Sequence, residues 1–437
     1  MHAFKIHGGR SLRGTVAING SKNAALPLMA AALLTDEPVQ LRGVPDLADI
    51  RNMLKLLRSL GMQIEQPDAH TADMRVTDPT QTTAPYDIVR TMRAGICVLG
   101  PLLAKRGHAR VAMPGGCAIG TRPVDLHLRG LRALGAEITL DAGDIVATAP
   151  RDSHGNQRLV GRHVFLGGPN GSTVLGTANV MSAAALAHGT TTLECAACEP
   201  EIEDLGRLLN AMGANIEGLG SPTLTIHGVD ELHGAEHEVI PDRIEAGTYV
   251  IAAAISAGDV TLENYPTSML GAFHDRLEEV GVTIDTLDDT KPHRHTIRVN
   301  APRRLNACHA VTQPHPGFPT DLQAQLMALL CLADGNSMIT EKIFPDRFLH
   351  VPELQRMGAD IKRLGTNALI HGTRQLVGAP VMASDLRASA GLVLAGLAAR
   401  GTTTINRVYH LDRGYERMEV TLQQLGADIE RFDADAV

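Results

Sequence analysis

No apolar run in this 437-residue chain is long enough to cross a bilayer. The stretch Ala24 to Leu34 is apolar apart from Pro27, but it falls well short of the roughly 20 residues that a spanning helix needs. A signal-peptide pattern is lacking too, since Lys5 and Arg10 are not followed by an apolar core and a cleavage site. Cysteine is sparse, with six residues at Cys97, Cys117, Cys195, Cys198, Cys308 and Cys331, mostly in apolar contexts. That usage points to a reducing compartment, and the cytoplasm is the expected location. Cys195 and Cys198 form a lone CxxC without the second ligand pair that a zinc site needs, so no metal is expected. Excess positive charge is also missing. Against 40 Lys and Arg stand 48 Asp and Glu, for a net charge of -8. This argues against nonspecific nucleic-acid binding and leaves any anionic ligand to local Arg and Lys. No HExxH, P-loop or strand-linked GxGxxG occurs.

What is present is a repeat. The composition, 44% hydrophobic and 20% charged, is that of a soluble globular protein, and the length calls for at least two domains. A short phrase recurs six times: Leu60-Gly61-Met62-Gln63-Ile64, Leu134-Gly135-Ala136-Glu137-Ile138, Met212-Gly213-Ala214-Asn215-Ile216, Val280-Gly281-Val282-Thr283-Ile284, Met357-Gly358-Ala359-Asp360-Ile361 and Leu425-Gly426-Ala427-Asp428-Ile429. The glycines are 74, 78, 68, 77 and 68 residues apart, and each is predicted to cap a helix C-terminus ahead of a strand. Before the phrase comes a small-residue helix, apolar nearly all round and therefore buried, as in Ala24–Leu34, Ala183–His188, Tyr249–Ala257 and Ala390–Ala399. A β-branched strand and an amphipathic helix follow, as in Thr402–Ile405 with Met418–Leu425. The chain is thus read as α/β, built of six helix-strand-helix-strand-strand units, three to a domain, with a cleft between the domains. The polar stretch Gly228–Glu245 is read as the crossing between them. Phe4–Ile18 holds two strands without a unit of their own, and they are expected to complete the last unit. The predicted domains are 22–240 and 1–21 with 241–437.

The candidate chemistry sits on a glycine-rich turn, Pro114-Gly115-Gly116-Cys117-Ala118-Ile119-Gly120-Thr121-Arg122. Its glycines let backbone approach a ligand, Cys117 can donate a proton or attack carbon, and Arg122 can hold a carboxylate or phosphate through paired hydrogen bonds. The buried helices tend to begin with charged or polar groups: Ser21-Lys22-Asn23, Arg90-Thr91-Met92-Arg93, Arg243-Ile244-Glu245, Thr320-Asp321-Leu322-Gln323 and Asp385-Leu386-Arg387. Helix N-termini suit anions, so Lys22, Arg93, Arg122 and Arg387 are candidates to surround a polyanionic ligand. Arg347-Phe348-Leu349-His350 and Asp412-Arg413-Gly414-Tyr415, taken alone, read as helix starts. Gly167-Gly168-Pro169-Asn170-Gly171-Ser172-Thr173 is a second glycine-rich turn before a helix.

Together, Gly20-Ser21-Lys22-Asn23-Ala24-Ala25, Pro114-Gly115-Gly116-Cys117, Thr121-Arg122-Pro123-Val124-Asp125-Leu126-His127, Phe318-Pro319-Thr320-Asp321 and Asp412-Arg413-Gly414-Tyr415 resemble the signature of the UDP-N-acetylglucosamine 1-carboxyvinyltransferases, a family of enolpyruvyl transferases. The likeness runs from about Phe4 to Ile429. It implies two inside-out α/β barrel domains of three units each, and the first committed step of peptidoglycan and cell-wall synthesis. In that step the enolpyruvyl group of phosphoenolpyruvate passes to the 3-hydroxyl of UDP-N-acetylglucosamine through a tetrahedral intermediate, and phosphate leaves. The resemblance implies no cofactor and no metal. It makes Cys117 the proton donor to the enol carbon and the residue that fosfomycin alkylates, and Asp321 the base or orienter of the sugar hydroxyl. It places Lys22, Arg122 and Arg413 on phosphoenolpyruvate, with Asn23 beside Lys22, and Arg93, Asp385 and Arg387 in the same cleft. Arg122, Pro123, Val124, Asp125, Leu126, Asp321 and Ile343 match positions that contact the UDP-sugar. The 167–177 segment departs from the usual pattern, and Ser172 and Thr173 are its candidates for nucleotide contact. The small-molecule substrates are the expected partners, with no nucleic acid and no membrane. Oligomeric state is not legible, and a monomer is compatible with the sequence. Alternatives are an enolpyruvyl transferase with another acceptor, such as shikimate 3-phosphate, and a silent UDP-sugar-binding regulator.

Overall fold

A computed structural model describes residues 2–114, 124–151, 155–302 and 304–434. It contains six four-stranded sheets of one design. The third unit shows the plan. Strand His163–Phe165 leads into the buried helix Val174–Ala185, and the chain returns as Thr190–Glu194, parallel to the first strand. A parallel return needs such a crossover, and the small side chains of the helix let it lie close against the sheet. The amphipathic helix Pro200–Ala211 follows, then Asn215–Glu217 and Thr223–His227, with the latter pairing antiparallel to both the central strand and its hairpin partner. All six phrase glycines adopt left-handed backbone, with φ between 83° and 100°. They end the amphipathic helices as the repeat predicted, because a side chain at that φ is strained.

Among the described residues the chain divides into two compact units, residues 20–114 with 124–240 (the 20–240 unit), and residues 2–19 with 241 onward. In the second unit three buried helices, Arg243–Ile255, Gln323–Leu330 and Leu386–Ala398, pack on one another. All 13 residues of the first of these are buried. In the 20–240 unit, Lys22–Ala31 and Leu99–Arg106, with the 3-10 turn Arg93–Val98 that precedes the latter, pack around Val174–Ala185. Helices form the inside and sheets the outside of each unit.

Three sequence expectations change. The N-terminal strands do not both complete the last unit. His2–His7 does, lying between Thr402–Asn406 and Asp428–Asp433, but Arg13–Ala17 pairs in parallel with Asp259–Tyr265 in the fourth sheet. The stretch read as a polar crossing contains a strand, Ala235–Glu238, which pairs in parallel with Val39–Arg42 in the first sheet. The reason is topological. Each unit needs a parallel edge strand, and the segments just before helices Lys22–Ala31 and Arg243–Ile255 serve the sheets of the units they are leaving. Lastly, the third buried helix begins at Val174 rather than Ala183, because Thr173 caps it by accepting from Gly176 N at 3.3 Å.

Candidate active site

Cys117, Arg122 and Pro123 lie outside the described residues. The 20–240 unit shows a buried cation. Ser21 caps the first helix by accepting from Ala24 N at 3.3 Å, which sets Lys22 at the first helical position. A cation there opposes the helix dipole, and the Lys22 side chain is only 10% exposed. Asp49, on the adjoining amphipathic helix, offsets this with Oδ2 at 3.4 Å from Lys22 Nζ. Asn23 is half-buried beside it.

Arg93 opens the 3-10 turn Arg93–Val98. His127 is held by Asn179, whose orientation is fixed by three bonds. Its Oδ1 accepts from Gly100 N at 2.8 Å, and its Nδ2 donates to Ile96 O at 2.9 Å and to His127 Nδ1 at 2.9 Å. His127 therefore accepts at Nδ1 and carries its proton on Nε2. Burial first, and then the charge of Arg93, push its pKa down to about 3, so the ring stays neutral. Val124 is buried, and Asp125 and Leu126 start the helix Asp125–Ala133 that carries His127. Leu126 also reaches the second glycine-rich turn, since a Cβ on Gly168 would meet its Cδ1 at 2.9 Å. That turn closes through Gly168 N to Gly171 O at 2.8 Å. It presents Ser172, while Thr173 is engaged as the helix cap.

In the second unit the geometry converges on Asp321. Its Oδ1 accepts from Arg347 Nη1 at 2.7 Å, and its Oδ2 accepts from Arg387 Nη2 at 3.1 Å and Nε at 3.2 Å. The carboxylate is 26% exposed, whereas the two arginine side chains are 7% and 3% exposed. Burial is the largest influence and works against the charge of Arg387, but Asp321, Tyr415 and Asp242 together outweigh it and hold the guanidinium above its ordinary value. Arg387 also lies over the ring of Tyr415, 5.5 Å from its centroid. The Tyr415 hydroxyl bonds Thr248 Oγ1 at 2.9 Å and Gln325 Nε2 at 3.2 Å, and Gln325 Nε2 reaches back to Asp321 O at 2.9 Å. Asp385 caps the helix that bears Arg387, accepting at Oδ1 from Arg387 N and Ala388 N at 2.9 and 3.0 Å. Arg413 ends the 3-10 turn Val408–Arg413, and Ile343 is half-buried next to the fully buried Glu341.

Sequence reasoning expected the helix N-termini themselves to face an anion. Four of the six buried helices are capped from within, by Ser21, Thr173, Asp242 and Asp385. A side-chain cap consumes donors that an anion would use. Arg347, Asp49, Glu341 and Asn179 were missed. Arg347 stood in a phrase read as a helix start. Asn179 lies inside an apolar helix, and Glu341 precedes Lys342, so each passes for ordinary packing or a solvated pair.

The chain matches the family model of EPSP synthase (3-phosphoshikimate 1-carboxyvinyltransferase) over residues 6–422. It is 51% identical over 432 residues to the UDP-N-acetylglucosamine 1-carboxyvinyltransferase of Methylacidiphilum infernorum, covering 99% of both chains. Against the protein of the same description from Gluconacetobacter diazotrophicus, identity is 53% over 432 residues, again covering 99% of both. The crystal structure of the enolpyruvyl transferase NikO from Streptomyces tendae superposes with a TM-score of 0.87 at 26% identity, over 99% of each chain. An EPSP synthase from Acinetobacter baumannii gives 0.77 at 19% identity over 99% of this chain and all of that one, a likeness of fold alone.

Proposed function

The chain belongs to the enolpyruvyl transferase family, and from that premise we propose the reaction and the residues that carry it. The protein is a transferase that moves the enolpyruvyl group of phosphoenolpyruvate to the 3-hydroxyl of UDP-N-acetylglucosamine, releasing phosphate, in peptidoglycan synthesis. The observation that carries this reading is end-to-end identity of 50–53% to curated relatives of that activity. Another acceptor is not favoured, because identity to the solved EPSP synthases is 19%.

The addition needs a proton delivered to C3 of the enol and one removed from the sugar hydroxyl as O3 bonds to C2. Elimination then breaks the bond from C2 to the phosphate oxygen and returns a proton from C3. Cys117 is assigned the C3 proton. Asp321 is assigned the sugar hydroxyl. Three hydrogen bonds from Arg347 and Arg387 fix the plane of its carboxylate, and the group keeps partial exposure toward solvent. Fixing the carboxylate this way favours orienting the acceptor, with proton removal at the same group. Lys22, Arg122 and Arg413 are assigned to the carboxylate and phosphate of phosphoenolpyruvate, with Asn23, Arg93 and Arg387 adding polar and positive groups. Val124 to Leu126, Ser172 and Ile343 are assigned to the UDP-sugar, whereas Thr173 and Asp385 act chiefly as caps. Among the described residues no helix is long and apolar enough to cross a membrane. Both proposed substrates are phosphorylated metabolites, which supports an activity in the cytoplasm.

Mass spectrometry of a reaction containing both substrates tests the assignment. The expected result is a UDP-sugar heavier by one enolpyruvyl group, formed mole for mole with phosphate. Phosphate without that product would overturn it.

A further inference from the structure

Glu341 has no exposed surface, yet no role in the reaction falls to it. Its Oε1 accepts from Thr312 Oγ1 at 2.8 Å, from Ile343 N at 2.8 Å and from Phe344 N at 2.9 Å. Its Oε2 accepts from Thr320 Oγ1 at 2.9 Å. Three donors on Oε1 and one on Oε2 engage a carboxylate that has no exposed surface, so Glu341 is not open to a proton from a substrate. What it does is join two segments far apart in sequence. One is the Ile343–Phe344 backbone. The other is Thr320, whose hydroxyl hydrogen points to Glu341 and whose oxygen therefore accepts from Arg347 Nη1 at 3.0 Å. The same Nη1 donates to Asp321 Oδ1 at 2.7 Å. Phe344 closes the circuit, with the Arg347 guanidinium 5.6 Å from its ring centroid.

We propose that Glu341 is a positioning residue for the enolpyruvyl transfer, locking the Ile343–Phe344 segment to the Asp321 carboxylate through Thr320 and Arg347. The inference rests on the proposed function, in which Asp321 and Ile343 face the acceptor. Oε1 sets the acceptor wall and Oε2 sets the reacting carboxylate, so one buried side chain keeps the sugar hydroxyl and the group that orients it in register. A glutamine does not reproduce it. Its single oxygen serves one side of the circuit, and its NH2 either opposes the Ile343 and Phe344 N–H groups or reverses the bond that orients the Thr320 hydroxyl.

Glu341→Gln is expected to lower kcat by about 10- to 100-fold, the scale of a small misplacement at a reacting group, and to raise KM for UDP-N-acetylglucosamine. Thr320→Val removes only the link to Asp321, and is expected to lower kcat while leaving that KM near wild type. The double variant should be no worse in kcat than Glu341→Gln alone, because both changes break one chain of contacts. Thermal melts separate these effects from unfolding, and if Glu341→Gln does not fold, Thr320→Val decides. Wild-type kcat in Thr320→Val, or activity lost only in proportion to unfolded protein, overturns the inference while wild-type turnover upholds the function. Absence of wild-type turnover with UDP-N-acetylglucosamine overturns the function, and the inference with it.

Discussion

Asp321 stands between two guanidinia that are far more deeply buried than itself, so its removal has two separable effects. Asp321→Ala strands the charges of Arg347 and Arg387, and should cost about 3 kcal/mol of stability, read as a fall in the denaturant midpoint. Asp321→Asn keeps the shape and loses the anionic acceptor. Its turnover should fall at least about 100-fold, in the range of general acid–base contributions, with a smaller loss of stability than alanine gives. The cysteines differ from one another in the same way. Burial pushes the thiols of Cys97, Cys308 and Cys331 up to about 12, where no useful thiolate forms at neutral pH. Fosfomycin should therefore spare them and label Cys117. Cys117→Asp keeps an acid at that position, so it should retain measurable turnover and escape labelling when the intact mass is read after exposure. Labelling that persists in Cys117→Asp would remove the thiol from its assigned role.

Among the elements, the six capping glycines are the most legible feature, because a fixed φ demand leaves its mark in one letter. Their surroundings are not legible. Gly358, with φ of 89°, has open space where a Cβ would sit, whereas a Cβ on Gly61 would lie 2.0 Å from Asp78 O. Gly358→Ala should cost about 1 kcal/mol through backbone strain alone, and Gly61→Ala considerably more, as read from urea unfolding midpoints. Equal losses would contradict this reading. The amphipathic helices were legible to within a residue or two, as Asp49–Leu60 against Ala48–Ser59, because their polar faces mark the ends. The buried helices at Lys22, Arg243 and Leu386 begin where their polar first residues mark them, whereas Val174–Ala185 has an apolar start and was placed too late. Strand exchange escaped as well. Nothing in Arg13–Ala17 or Ala235–Glu238 records which sheet supplies the partner, because an edge strand pairs through backbone. At the site, the charged side chains Lys22, Asp321 and Arg387 stood out, while Glu341, Asn179 and Arg347 acquire meaning only from residues brought to them by the fold.

At the scale of the whole molecule, buried titratable groups set opposing pH slopes. His127, His274 and His350 are pushed down to about 3, 4 and 4, chiefly by burial. The unfolded chain binds these protons below about pH 6.5, so the stability tied to the neutral rings is complete above that value and is lost as pH falls toward 4. Glu245 does the reverse. Burial first, and then Asp242, raise it from 4.5 to about 8, against the bonds from Asn19 N and Nδ2 at 2.8 and 3.0 Å. Its contribution is complete below about pH 4.5 and is lost as pH rises through 8. Urea midpoints of the wild type should therefore decline between about pH 6.5 and 8, and Glu245→Gln should flatten that decline. An unchanged slope in the variant would assign the effect to another group. The central claim concerns the acceptor, and one measurement tests it most directly: phosphate released from phosphoenolpyruvate by the purified protein, with UDP-N-acetylglucosamine or shikimate 3-phosphate as the only acceptor. The account predicts release that depends on UDP-N-acetylglucosamine and none with shikimate 3-phosphate. Release with shikimate 3-phosphate alone would contradict it.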